Sequence, residues 1–188
     1  MAQVMRKDKI LLAIAIAHTL TIVSLGYILL GFAGMALFAI GFVIGLVFWL
    51  AAPEGIGFRR IRLPYFLTLV FFVLHKIEER EMDFFPAFSR LTGVATPEEG
   101  SPLSLLLYAL AAAWLLVPIL LRWRNPLGEY LAWTFFASTG LIELAHFVFP
   151  TFEDRPYGYF PGMATVVPLI PAAWWGLYRM KWPQASHA

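Results

Sequence analysis

From Ile10 to Pro53 the chain is almost continuously apolar, with only His18, Thr19, Thr21 and Ser24 to interrupt it. One straight helix over that stretch would reach about 65 Å, roughly twice the hydrocarbon thickness of a bilayer. The pattern therefore predicts a reversal near Gly31 to Gly34 and two spans, at 10–30 and 33–52. A third apolar run covers 62–80. A fourth opens at Ser101-Pro102 and ends near Leu121, and a fifth opens at Asn125-Pro126 and closes at Pro150. Both openings place a good N-cap residue before a proline at the first helical position. A sixth run covers 162–180. Between the third and fourth, Phe84, Phe85, Phe88 and Leu91 recur at helical spacing. They predict a short interfacial helix with its aromatic face in lipid, an anchor or a lid over whatever lies beneath. Thr96-Pro97-Glu98-Glu99 reads as a further helix start. The expected fold is all-α, an integral membrane bundle of six transmembrane helices forming a single domain over residues 1–188.

Composition agrees. Of 188 residues 60% are hydrophobic and 14% charged, too apolar for a soluble domain of this size. A net charge of +2 gives no footprint for nucleic acid. The absence of cysteine excludes disulfides, zinc ribbons and thiol nucleophiles. The first residues resemble the start of a signal peptide, but the apolar run continues past any cleavage point, so a retained first span is expected. Arg6, Lys7 and Lys9, then Arg59, Arg60 and Arg62, then Arg122 and Arg124, then Arg179 and Lys181 all fall on one side of a six-span chain. That side is expected to be cytoplasmic, with both termini on it, in the plasma (inner) membrane. Glu81, Asp83, Glu98, Glu99, Glu153 and Asp154 occupy the opposite loops.

The candidate chemistry lies where two outward-running spans end. Span three finishes in VFFVLHKIEEREMD, with His75, Glu78 and Glu79; span five reads LIELAHFVFP, with Glu143 and His146. Residues three or four apart share a helix face, so two imidazoles and three carboxylates are predicted at one depth near the extracytoplasmic surface. That donor set suits zinc or iron. Glu-x-x-His is the spacing of four-helix di-iron carboxylate proteins, and His-x-x-Glu-Glu is one residue from the His-x-x-Glu-His zinc motif. The candidate metal ligands are His75, Glu79, Glu143 and His146; in the zinc arrangement His75, Glu79 and one residue of span five bind the metal and Glu78 activates water. The bland alternative is a solvated cluster in which Lys76 and Arg80 pair with Glu79 or Glu143. Ionisable groups within spans are costly, however, and are functional by default.

His75-Lys76-Ile77-Glu78-Glu79, together with His146 and Tyr159-Phe160-Pro161-Gly162 opening the last helix, resembles the HXXEE domain family of multi-span membrane proteins. The resemblance covers about residues 62–180 and leaves the first two spans outside it. It implies that His75, Glu78 and Glu79 matter, and it supplies no reaction.

Other polar residues have plainer readings. Glu129 lies about 21 Å below Glu143 in the first turn of span five, where a carboxylate offsets the helix dipole. His18 is expected to bond a neighbouring carbonyl, and His187 belongs to the tail. Glu153 and Asp154 read as solvated loop charges. Tyr157 and Tyr159 read as interface anchors, as do Trp49, Trp123 and Trp182. Pro118, Pro168 and Pro171 each free a backbone carbonyl that a neighbour must satisfy, and the last two are expected to kink span six. Three functions remain open. The first is a metal-dependent membrane enzyme, a hydrolase or a di-iron oxidase or hydroxylase, acting on a lipid or other apolar substrate that arrives through the bilayer. The second is a metal-free acid–base isomerase or cyclase. The third is a non-enzymatic ion-binding or accessory subunit.

Overall fold

The computed structural model of the chain describes residues 8–52, 55–95, 98, 100–154 and 156–182. Arg6, Lys7, Pro53, Thr96, Pro97, Glu99 and His187 lie outside the described residues. All regular structure among the described residues is helical.

Helix α1, Lys9–Ala51, starts at Asp8, whose carboxylate accepts from the amide of Leu11 at 2.8 Å. It is broken at Gly31, which has φ 66° and ψ −160°. There the chain folds back on itself: a Cβ added to Gly34 would lie 2.8 Å from the Gly26 carbonyl oxygen, whereas eight residues of straight helix would separate the two by about 12 Å. The expected reversal is present, and glycine provides the left-handed backbone it requires.

Helices α2 (Phe58–Glu81) and α3 (Phe84–Thr92) follow. Next comes α4 (Pro102–Ala112), capped as expected by the Ser101 side chain. A 3-10 turn, Ala113–Leu116, leads into α5 (Val117–Arg122). Pro118 enforces that interruption, since it cannot donate to the carbonyl four residues back. The carbonyl in question, Trp114, instead accepts the Tyr65 hydroxyl at 3.0 Å. Helix α6 (Pro126–Leu141) is capped by Asn125 and buried at nearly every position from Gly128 to Gly140. The chain continues through a 3-10 turn, Ile142–Leu144, the short α7 (Ala145–Val148) and a second 3-10 turn, Phe149–Phe152. Helix α8 (Met163–Lys181) completes the bundle and runs without a break through Pro168 and Pro171.

The central helix is α6. The second half of α1 lies against it so closely that a Cβ on Gly41 or Gly45 would sit 2.9 Å or 2.6 Å from the Cα of Ser138 or Thr134. This small-residue packing is how membrane helices gain contact without help from water. Opposite, the ring of Phe136 fills the space beside Gly176 on α8. Three helical segments among the described residues are long and apolar enough to cross a membrane: Lys9–Ala51, Ser104–Arg122 and Pro126–Phe152. Helix α2, with charges clustered at both ends, falls outside that group.

Two plain readings change. Trp49 is no belt residue: it is fully buried, packed edge-on against Tyr130 with ring centroids 5.6 Å apart. Glu129 is buried and reaches beyond its own helix. One of its oxygens accepts from the amides of Gly55 and Ile56, each at 2.7 Å, tying the start of α2 to the start of α6. His18 bonds the Leu110 carbonyl at 3.4 Å, as expected, and also the Tyr130 hydroxyl at 2.8 Å. Glu129→Ala is expected to cost about 1–3 kcal/mol for each amide left bare. Glu129→Gln, whose amide oxygen still accepts, is expected to cost less. Thermal unfolding of the two variants in detergent measures the difference.

Candidate metal centre

Glu79 stands one helical turn beyond His75, so both side chains leave α2 on the face turned toward α6 and α8. Glu143 and His146 come from the far end of the α6 rod, where the helix gives way to the 3-10 turn. That break is held open from outside: the Trp174 indole donates at 2.8 Å to the Gly140 carbonyl, which an unbroken helix would use internally.

The four side chains converge. His75 Nε2 lies 3.1 Å from Glu143 Oε2 and 3.2 Å from Glu79 Oε1. His146 Nε2 lies 3.2 Å and 3.3 Å from the same two oxygens. One ligand atom from each of His75, Glu79, Glu143 and His146 falls within 4.8 Å of every other, a grouping able to hold a metal ion. All four residues are buried, and the two imidazoles meet edge to face at 87°.

The outer edges of the rings decide their tautomers. His146 Nδ1 is 2.6 Å from the Pro161 carbonyl oxygen, which can only accept, so that nitrogen carries a hydrogen. His75 Nδ1 is 3.0 Å from Thr165 Oγ1, whose own hydrogen is given to the Glu78 carboxylate. Thr165 therefore accepts, and His75 Nδ1 also carries its hydrogen. Each Nε2 is then left facing two carboxylate oxygens, where it carries either a proton or a lone pair for a shared cation. This is the arrangement in which a metal-binding histidine donates its second nitrogen to a fixed acceptor.

Lys76 lies on the open side. Its ammonium donates to Glu79 Oε2 at 2.6 Å and is 3.7 Å from Glu143 Oε1, while the side chain remains 44% exposed. It thus pairs with the outer oxygens of both carboxylates, whose inner oxygens face the histidines.

Glu78 is not brought to the other four. Its carboxylate caps the N-terminus of α8, accepting from the amides of Thr165 at 2.8 Å and Ala164 at 3.2 Å and from the hydroxyls of Thr165 and Tyr159. Thr165 and the His75 ring stand between it and the point of convergence. Glu153 and Asp154 are likewise outside the group. Tyr157 donates to the Phe147 carbonyl at 3.1 Å.

The roof of the centre differs from the lipid-facing helix that the spacing predicts. The aromatic face of α3 turns inward: Phe88 is buried, and the Phe84 ring lies 5.2 Å from that of His146 and 5.9 Å from that of Phe160. Phe149 closes the same side at 5.1 Å from Phe160. Residues at 84 and 88 are as favourable over a buried imidazole as in lipid, so spacing alone does not choose between the two. The roles of Thr165 and the Pro161 carbonyl carried no signal in the sequence beyond their nearness to Tyr159-Phe160-Pro161-Gly162.

Gly162 itself is sterically obligatory. Its φ is +95°, and a Cβ there would lie 2.6 Å from His146 Cε1 and 2.7 Å from His75 Cε1. No family model, curated protein or solved structure matches this chain.

Gly162→Ala is expected to destabilise by more than the about 1–3 kcal/mol of left-handed backbone strain alone, because the methyl group also drives the imidazoles apart. Gly93→Ala, at φ +70° with open space around it, is expected to show the strain alone. Paired thermal melts compare them.

Proposed function

We propose that His75, Glu79, Glu143 and His146 hold a single divalent metal ion, zinc or iron, and that the protein is a membrane-embedded enzyme acting on a lipid or other apolar substrate. One observation carries this reading. Two imidazole Nε2 atoms and two carboxylate oxygens face one another in a buried space, with both Nδ1 hydrogens committed elsewhere. Bare acceptors so arranged repel, and burial denies them water. A shared cation removes the conflict. The alternative is a proton on each Nε2, which would make the site an acid–base centre for an isomerase or cyclase.

One ion fits better than two. A di-iron site needs carboxylates that bridge or extend to a second metal. Here the outer oxygens are engaged by Lys76 instead. The bound ion would act as a Lewis acid or would lower the pKa of a coordinated water. With Glu78 committed to the start of α8, the reading assigns it no general-base role.

The membrane setting is part of the proposal. Helix α1 contributes two spans through its Gly31 reversal, and α2 and α8 add to the three long apolar segments to make six. In support, α2 exposes Leu63, Leu67, Val70, Val73, Leu74 and Ile77, a stripe suited to lipid. The Lys and Arg distribution supports cytoplasmic termini and a site near the extracytoplasmic face, in what we take to be the plasma membrane. Kinship with the HXXEE family belongs to the same reading. Every polar residue of the motif makes a contact at the centre or behind it, which gives the resemblance a structural rationale.

Elemental analysis of protein purified without chelator tests the reading. About one zinc or iron per chain is expected, lost in both His75→Ala and Glu143→Ala. Wild-type protein that takes up neither metal on reconstitution would overturn it in favour of the protonated site.

A further inference from the structure

Both histidines of the centre give their Nδ1 hydrogens to one short stretch of chain. Pro161 takes that of His146 and Thr165 that of His75, while Gly162 sits between the two rings. The stretch is the turn that opens α8. Gly162, at the N-cap position, makes no side-chain capping bond, so the exposed amides of that turn need an acceptor from elsewhere. Glu78 is that acceptor. Its Oε2 takes both the amide and the hydroxyl of Thr165, and its Oε1 takes the Ala164 amide and the Tyr159 hydroxyl.

Thr165 is therefore polarised from one side. Its single hydroxyl hydrogen has two acceptors in reach, the Glu78 carboxylate and the Gly162 carbonyl at 3.3 Å. An ionised carboxylate is the stronger. With that hydrogen committed, the oxygen can only accept from His75. Were Glu78 absent, the hydroxyl would be free to turn its hydrogen either to the Gly162 carbonyl or to Nδ1, and only the second orientation reverses the ring. In that orientation the imidazole would favour the opposite tautomer, with a hydrogen on the nitrogen that faces Glu79 and Glu143.

We infer that Glu78 is a positioning residue which, through Thr165, fixes His75 as the Nδ1-protonated tautomer and leaves its Nε2 bare for the metal. The inference rests on the metal reading above for its purpose, but not for its geometry. It gives the two glutamates of the motif separate duties: Glu79 faces the ion, and Glu78 reaches the same histidine from behind by way of a second helix. It also links the outer loop to the centre, because Tyr159 shares the Glu78 oxygen that holds Ala164.

Two measurements on full-length protein in detergent test it. The first is cobalt(II) affinity by chelator competition, together with the visible spectrum of the bound cobalt. Loss of a hydrogen-bond partner behind a ligand typically weakens metal binding about 10–100-fold. Thr165→Val is expected to weaken it within that range and shift the spectrum, Thr165→Ser to restore both, and Glu78→Gln to resemble Thr165→Val. Wild-type affinity and spectrum in Thr165→Val would overturn the relay. The second measurement is nitrogen-15 NMR of histidine-labelled, metal-free protein, which reads the His75 tautomer directly. Nδ1 protonation in the wild type that is lost in Thr165→Val and Glu78→Gln supports the relay. A tautomer unchanged by both substitutions overturns it. If the wild type binds no cobalt, the metal reading fails while the tautomer measurement still decides the relay. Retained melting temperatures separate these effects from a general loss of fold.

Discussion

Two imidazole Nε2 atoms and two carboxylate oxygens brought to one buried point are the constraint around which this molecule is organised. The inner oxygens of Glu79 and Glu143 and the Nε2 atoms of His75 and His146 occupy one small volume. Removing such groups from solvent costs several kcal/mol each, and mutual attraction repays the cost only when geometry is tightly held. The surrounding structure holds it tightly. Helices α2 and α6 start at the same end of the bundle and so bring their polar ends to the same level. The turn before α8 fixes the back of both rings. The carboxylates are steadied on their far side by Lys76, itself over the Phe72 ring at 5.3 Å.

Departures from regular helix follow the same logic. A break in a membrane-buried helix exposes backbone groups with no water to receive them, so each break needs a partner from another element. Tyr65 serves the Trp114 carbonyl at the Pro118 interruption, and Trp174 serves Gly140 where α6 ends. The second case matters most for function. Tightening to a 3-10 turn changes the angular step between residues, so Glu143 and His146 reach the centre from a backbone that is no longer ideal α-helix. A kink of this kind, directed by an indole on a different helix, is a tertiary effect.

Much of the site was nevertheless readable in advance. The spacing of His75 and Glu79, the second pair on a separate helix and the common depth of the two pairs follow from periodicity and from span counting. The reversal at Gly31 followed from length alone. What periodicity cannot give is the identity of the neighbour a side chain meets. Glu78 and Glu79 differ by about 100° around α2. Local sequence does not say that one faces α6 while the other faces the start of α8. The same ambiguity placed the rings of α3 in lipid and Trp49 at an interface, because apolar surface is equally content against protein. Glu129 shows the converse. A carboxylate in a first turn has an obvious local use, and that use concealed its contact with a distant loop.

That contact reaches across the bundle. Glu129 fastens the beginnings of α2 and α6 together, while His75 lies some 26 Å along one helix from Phe58 and Glu143 about 21 Å along the other from Glu129. Slippage of one residue would displace His75 against Glu143 by about 1.5 Å, enough to break their 3.1 Å contact. The latch is therefore the zero mark of a ruler: two rods of fixed length, pinned at one end, whose free ends come into register because neither can slide.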